Sequence, residues 1–379
     1  MAREKVYKIA VLGASGKGNY GHHLDTAFQE IDKAIITAIG DRNKDGLTQK
    51  GVQLNCNNLY TDLEKLYNEH EIDITCVCPG WVTERVDMIK LAANHGSNIY
   101  CEKPLAGTLE EVDQIVDTCE KQNVTLAMAH QWRAMPSIEN TINKVKLKKY
   151  GNILRITARP KDDSRGGGEE FLLHGSHLFD IMIEIAGKPR WVSSFISKNR
   201  ISANNKDKTI GTQPVGPILG DTIYAMIGFD NGVVGNFISN ANLVGEKNPN
   251  LDGLGVYGLT IETEQNVIIM REPGEVYIYP LPAVLPDYKM TWERQLVQPW
   301  HSEQGKSIED LKITNSWIKY GNKILAADLI ESIEFDREPK SSLDNAKYIN
   351  EIVQGAYESH FAKGERQLIP LKNRVHPLL

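Results

Sequence analysis

The chain reads as an α/β protein, with an N-terminal Rossmann doubly wound parallel sheet and a C-terminal α+β domain built on a large, mostly antiparallel open sheet. Three observations predict this. Apolar runs alternate with helical stretches up to about residue 131, the rhythm of strand–helix–strand crossovers. The first run ends in a glycine-rich turn, Gly13-Ala14-Ser15-Gly16-Lys17-Gly18, and the second ends on Asp41. Beyond residue 131 strands follow one another through turns such as Asp230-Asn231-Gly232, where Asn-Gly tolerates positive φ. Domains run ~100–200 residues, so 379 residues divide into a first domain over 1–131 and a second over 132–379.

Taken in order, strands are expected at 7–13, 34–40, 73–78, 98–101 and 125–130. Helices are expected at 22–29, 61–67, 83–94 and 109–121. Thr108 caps the last of these, with Glu110 and Glu111 at its positive end. The second domain opens with a helix at 135–148 and a strand at 152–159, then a helix at 171–186. Alternating segments at 191–197, 222–229, 233–239, 258–262, 266–270 and 275–279 are strands. Segments 201–221 and 284–316 lack clear periodicity and are expected to shape a pocket. Helices return at 315–333 and 343–363.

Composition excludes several classes. The net charge is −6, which disfavours a nucleic-acid binder, because displacing phosphate counterions needs a basic face. The Lys144–Lys149 run is read as a solvated helix face. Five cysteines, all within the first third, do not make a secreted disulfide framework. Cys76 and Cys78 alternate along a strand. The N-terminal residues carry no apolar signal segment and no run of ~18 apolar residues occurs, so the expected location is the cytoplasm.

The glycine turn carries the first chemical reading. A strand, a glycine turn and a helix start present backbone N–H groups to a pyrophosphate. Gly13, Ser15, Gly16 and Gly18 form the candidate cradle, with Ser15 where the strict glycine pattern has its second glycine. Asp41 lies 28 residues after Gly13, where a carboxylate accepts from ribose hydroxyls and repels a 2′-phosphate. That favours NAD over NADP, although Arg42 can pair with such a phosphate.

The stretch Tyr100-Cys101-Glu102-Lys103-Pro104-Leu105-Ala106, together with the Pro79-Gly80 loop and the tail Gly364–Leu371, resembles the glucose–fructose oxidoreductase/inositol dehydrogenase (Gfo/Idh/MocA) family over nearly the whole chain. The resemblance implies a Rossmann domain and an open-sheet domain paired into homodimers or homotetramers. It implies hydride transfer between nicotinamide and a carbon bearing a hydroxyl, on small carbohydrate or cyclitol substrates. Lys103 would hydrogen-bond the reacting oxygen and stabilise developing negative charge. Pro79, Trp81 and Glu102 would join the cofactor site.

The family's second-domain helix reads Asp-x-Gly-x-His-x-x-Asp. This chain has Gly175, His177 and Asp180 in place, but Leu173 where the first acid stands, with His174 beside it. His177 is the expected proton acceptor, since imidazole titrates near pH ~6.5. Asp180 would orient it, and His174 would supply the contact the missing acid makes. The His-x-x-His-x-x-Asp spacing also suits a divalent metal, completed by Glu169 or Glu170, but the family context argues against one and no metal is assigned. Gln131, Trp132 and Arg133, after the last Rossmann strand, and Arg159 and Arg165, before the helix, are candidate substrate contacts. Two alternatives stand beside the dehydrogenase. One is a glycoside-cleaving enzyme with tightly held NAD, working by transient oxidation, elimination and re-reduction; the other is a non-catalytic ligand-binding relative.

Overall fold

The computed structural model describes residues 5–243, 257–272, 274–282, 289–297 and 316–379. The chain divides into two compact units, 1–131 with 318–346, and 132–317 with 347–379. Residues 318–346, placed by the sequence in the second domain, thus belong to the first unit. Their contacts give the reason. Asn322 accepts hydrogen bonds from Tyr100 and Gln131, Lys33 pairs with Glu334, and Ser341 O accepts from Met128 N.

The first unit is a six-stranded parallel sheet. In chain order its elements are β1 (Tyr7–Leu12), β2 (Ala34–Gly40), α1 (Lys44–Leu54), β3 (Leu59–Tyr60), α2 (Leu63–Glu69) and β4 (Ile74–Val77). They continue with α3 (Arg85–Asn94), β5 (Asn98–Cys101), α4 (Leu109–Gln122) and β6 (Leu126–Met128). The strand order 3-2-1-4-5-6 is the Rossmann order. Leu12, Ala38, Val77, Ile99 and Met128 from the strands pack with Leu66, Met88, Ile89, Val112 and Ile115 from the helices. The alternation of apolar and polar residues in α4 places Val112, Ile115 and Cys119 on the buried face. Thr108 Oγ1 accepts from Glu111 N, and the Glu111 carboxylate accepts from Thr108 N, which is a reciprocal cap.

Two elements differ from expectation. The helix expected at 22–29 is only a short 3-10 turn, Leu24–Thr26. Gly21 and His23 have positive φ, so right-handed helix cannot begin before residue 24. Conversely, α1 is not visible in the sequence pattern, because Gly46 and Gly51 interrupt its periodicity. Its start is fixed by Asn43, whose side chain accepts from Asp45 N and Gly46 N.

The second unit holds a ten-stranded mixed sheet, mostly antiparallel. It begins with α5 (Pro136–Lys146) and β7 (Ile153–Arg159). The central strands run in the order Glu275–Tyr279, Val267–Arg271, Gly258–Thr263, β7, Val234–Asn240, Thr222–Phe229 and Pro189–Lys198. Among the described strands of this sheet, only the β7 pairing with Val234–Asn240 is parallel. The helix expected at 171–186 breaks at His174 into α6 (Gly168–Leu173) and α7 (Gly175–Ala186). Ile156, Ala158, Phe237, Leu259 and Ile261 are buried, as are Phe171, Leu178, Phe179 and Met182 of the helices. Within 201–221 the structure adds short strands at Ile201–Ser202, Lys208–Ile210 and Pro217–Leu219. Most of 284–316 lies outside the described residues; 293–294 within it pair with Tyr277 and Ile278.

Candidate active site

In the first unit the glycine turn closes on itself. Ala14 and Asn19 exchange backbone hydrogen bonds. Gly18 has φ +83°, and a Cβ there would lie 2.4 Å from Trp81 N, so only glycine lets this loop meet the Pro79-Gly80 loop. Gly80 N donates to Gly18 O at 3.0 Å. Gly13 faces the Tyr20 ring, which a Cβ would meet at 2.3 Å, while Gly16 opens onto free space. Ser15 donates through both N and Oγ to Asp41 Oδ2, at 3.0 and 2.7 Å. Asp41 is buried, and its Oδ1 accepts from Asn43 N. Next to it a cavity of about 440 Å³ is lined by Arg42, Thr61, Asp62, Glu64, Met88 and Leu91.

The turn after β5 is fastened by a fully buried arginine. Arg85 donates to the carbonyls of Pro79, Gly80, Glu102, Lys103 and Pro104. It thereby ties two loops at the carboxyl edge of the sheet, with the Lys103–Pro104 peptide cis. Glu102 is also fully buried. It accepts from His22 N and His22 Nδ1, and from Lys103 N at 3.1 Å. Burial pushes its carboxyl up, but His22, Lys103 and Arg85 outweigh that and bring it down to about 2. Asn322 completes the network. Its Oδ1 accepts from Tyr100 and Gln131, each at 2.9 Å, and its Nδ2 donates to His22 O at 2.8 Å. Lys103 is 4% exposed.

In the second unit Gly167, with φ +82°, leads into α6; its N donates to Ser239 Oγ at 2.7 Å. Glu169 accepts from Thr212 and Gln213, holding the 201–221 segment. Glu170 is buried and hydrogen-bonds His174 Nδ1. Arg165 pairs with Glu170 at 3.3 Å and with Asp163 at 2.7 Å. The His174 ring stands edge-on to Tyr257, 5.1 Å between centroids. Tyr257 in turn packs on Trp132 at 4.7 Å. One turn further along α7, His177 is 4% exposed and Asp180 fully buried. Arg133 donates to Asp180 at 3.1 Å and also pairs with Glu184. Burial works against the Arg133 charge, but the two carboxylates outweigh it and raise its pKa.

Residues 7–130 match the oxidoreductase family with the NAD-binding Rossmann fold, GFO_IDH_MocA. The Rossmann part of the chain is thus similar to this family. It is 28% identical over 184 residues to myo-inositol 2-dehydrogenase of Thermotoga maritima, across 47% of this chain and 55% of that one. It is 30% identical over 115 residues to 2,7-anhydro-N-acetylneuraminate hydratase of Mediterraneibacter gnavus, across 30% of each. The match thus spans about half or less of these two relatives. The fold is that of an Agrobacterium radiobacter oxidoreductase solved with NAD+, L-tartaric acid and magnesium. That likeness has a TM-score of 0.70 at 19% identity and covers 96% of this chain and 98% of that one.

Within the structure the expected residues fall into three groups. Gly13, Ser15, Gly18, Asp41, Pro79, Trp81, Glu102 and Lys103 stand on loops at the carboxyl ends of β1, β2, β4 and β5, and Arg42 borders the cavity beside Asp41. His174 and His177 flank the break between α6 and α7, and Arg165 reaches His174 through Glu170. Gln131, Trp132, Arg133 and Asp180 lie deeper than expected. Gln131 is tied to Asn322. Trp132 is fully buried against Tyr257, with no face exposed to stack on a ligand. Arg133 and Asp180 pair with each other. Arg85, Tyr257 and Asn322 went unread. A lone arginine, a tyrosine and an asparagine carry no motif, and most of their partners lie on other elements, up to 300 residues away. No group of three or more His, Cys, Asp or Glu residues among those described forms a metal cage.

Proposed function

We propose that the chain is an NAD-dependent oxidoreductase acting on a hydroxyl of a sugar, cyclitol or sugar derivative. The observation that carries this reading is Lys103: a lysine 4% exposed, in a loop fixed by buried Arg85 and Glu102, within a family Rossmann sheet. A buried ammonium is costly and marks a functional position. Asp41 and the cavity beside Arg42 fit the adenosine half of a dinucleotide, and the Ser15–Gly18 loop fits its phosphates. Asp41 favours NAD over NADP. The bound nicotinamide supplies the hydride acceptor.

Lys103 donates a hydrogen bond to the reacting oxygen and stabilises its developing charge. His177 takes the hydroxyl proton. His174, with Glu170 holding its Nδ1, provides a second acid–base group beside Leu173, which stands in place of the family's acid. Incubation with NAD+ and a panel of sugars and inositols tests the reading. Reduced nicotinamide is expected with at least one member, and Lys103→Met abolishes it while retaining NAD+ binding.

A second reading draws on the Glu170–His174 pair and the hydratase relative. A carbonyl formed transiently at C3 acidifies the C2 proton; a base removes that proton, a leaving group departs, water adds, and the hydride returns. Such a cycle needs two acid–base groups. Cleavage of an aryl glycoside without net cofactor reduction would favour it.

The open sheet face supports pairing with a second copy. Phe195, Tyr224 and Met226 are 47–50% exposed and line a shallow groove of about 410 Å³ with Ser193, Asn236 and Ile238. An exposed apolar patch of this kind marks an interface, and closed symmetric dimers are the commonest way to cover one.

A further inference from the structure

Arg159, Gly258 and Arg271 form one row across three strands. Gly258 is in register with Arg159 on one side and with Arg271 on the other. Residues in one row share a face of the sheet, so the two arginines flank a position that has no side chain. A Cβ at Gly258 would meet Met270 O at 2.0 Å and Arg271 Cδ at 3.2 Å, so the neighbouring backbone and the Arg271 stem together close the space beside the glycine.

The charges of this pair do not balance. Arg159 Nη2 donates to Asp162 Oδ2 at 3.1 Å. Asp162 is already engaged by Ser239 Oγ and Asn240 N. Arg159 Nε is buried and has no acceptor. Glu272, the next carboxylate along the chain, faces Lys161 at 3.5 Å. Arg271, itself half-buried, has no carboxylate partner among the described residues. Burial and the neighbouring Arg159 both push its pKa down. Of the two guanidinium groups only Arg159 has a carboxylate among the described residues, in a chain whose net charge is −6, so the surplus is local rather than part of a basic surface. Uncompensated buried charge is expensive, and a planar pair of forks matches the oxygens of a carboxylate or phosphate.

We propose that Arg159 and Arg271 form an oxyanion subsite, taking the carboxylate or phosphate group of a small molecule. It requires neither hydride transfer nor the cofactor, so its test stands apart from that of the dehydrogenase reading. The full chain is titrated calorimetrically with gluconate, with inorganic phosphate and with neutral glucose, and melting temperatures are recorded with each. At least one anion binds and raises the melting temperature, while glucose does not. Arg271→Leu weakens that anion at least tenfold, and Arg271→Lys weakens it less. Because it removes a like-charge contact, Arg271→Leu without ligand melts no lower than wild type, which shows that the variant is folded. Tighter gluconate identifies a sugar acid as the ligand class; tighter phosphate identifies a phosphate or its ester. Equal anion affinity in wild type and Arg271→Leu, or no anion binding to wild type, overturns the subsite.

Discussion

The residues that define the site are held by buried polar partners rather than by exposed contacts. Glu102 is the clearest case. Its pKa of about 2 in the folded state lies below the ordinary glutamate value of 4.5, so its stabilisation is fully present above about pH 4.5 and is lost as pH falls through about 2. A shift of that size corresponds to roughly 3 kcal/mol. The stability gap between wild type and Glu102→Gln, read from urea denaturation, should be full at pH 7 and narrow steadily below pH 4.5. A gap that does not change with pH would remove the His22 and Lys103 contacts from the account. Arg85 makes a second prediction. Arg85→Met leaves five loop carbonyls without their donor, at a cost of at least ~3 kcal/mol. The lowered denaturation midpoint should be accompanied by weaker NAD+ binding, because both tied loops border the cofactor positions. Of these residues, only Glu102 and Lys103 were legible beforehand, since they belong to a family motif. Arg85 lies in a helix pattern like any other, and its importance arises only when β4 and β5 bring their loops together.

At the scale of elements, the glycine turn shows what a motif does and does not specify. Gly13, Ser15, Gly18 and Asp41 take their places at the ends of β1 and β2 as the spacing requires. The following helix is reduced to a 3-10 turn that starts after His23, which is held in the left-handed region. Gly18→Ala combines that strain with a backbone clash against Trp81, and strained positions cost ~1–3 kcal/mol. A fall in melting temperature together with weaker NAD+ binding is the expected result. The helix Ser316–Phe335 carries the complementary lesson. Its apolar periodicity was plain, but not its membership of the first unit, which rests on Asn322 reaching Tyr100, Gln131 and His22. Asn322→Ala removes two buried hydrogen bonds and one partly buried one, and should destabilise the protein by ~2–4 kcal/mol. It should also weaken NAD+ binding more than Lys323→Ala, a surface change that removes an exposed pair with Glu30.

For the whole molecule, strand and helix periods were enough to give a parallel sheet followed by a mostly antiparallel one. They could not show that the chain returns to complete its first unit near its end. That return depends on side-chain hydrogen bonds between residues some 200 positions apart, which no local pattern encodes. The unpartnered sheet face leads to one prediction at this scale. Phe195→Glu with Met226→Glu places two charges on the groove and should convert an oligomer to a monomer in sedimentation, leaving the far-ultraviolet spectrum unchanged. The central claim, that this chain oxidises a carbohydrate hydroxyl through Lys103, is tested most directly by its effect on nicotinamide absorbance. Wild type with NAD+ and a sugar or cyclitol panel should reduce the cofactor with at least one member. Lys103→Met should lose at least ~100-fold in kcat with little change in NAD+ affinity, as expected when a group that stabilises transition-state charge is removed. A wild type that binds NAD+ yet reduces it with no member of the panel, or a Lys103→Met variant that turns over normally, would contradict the account.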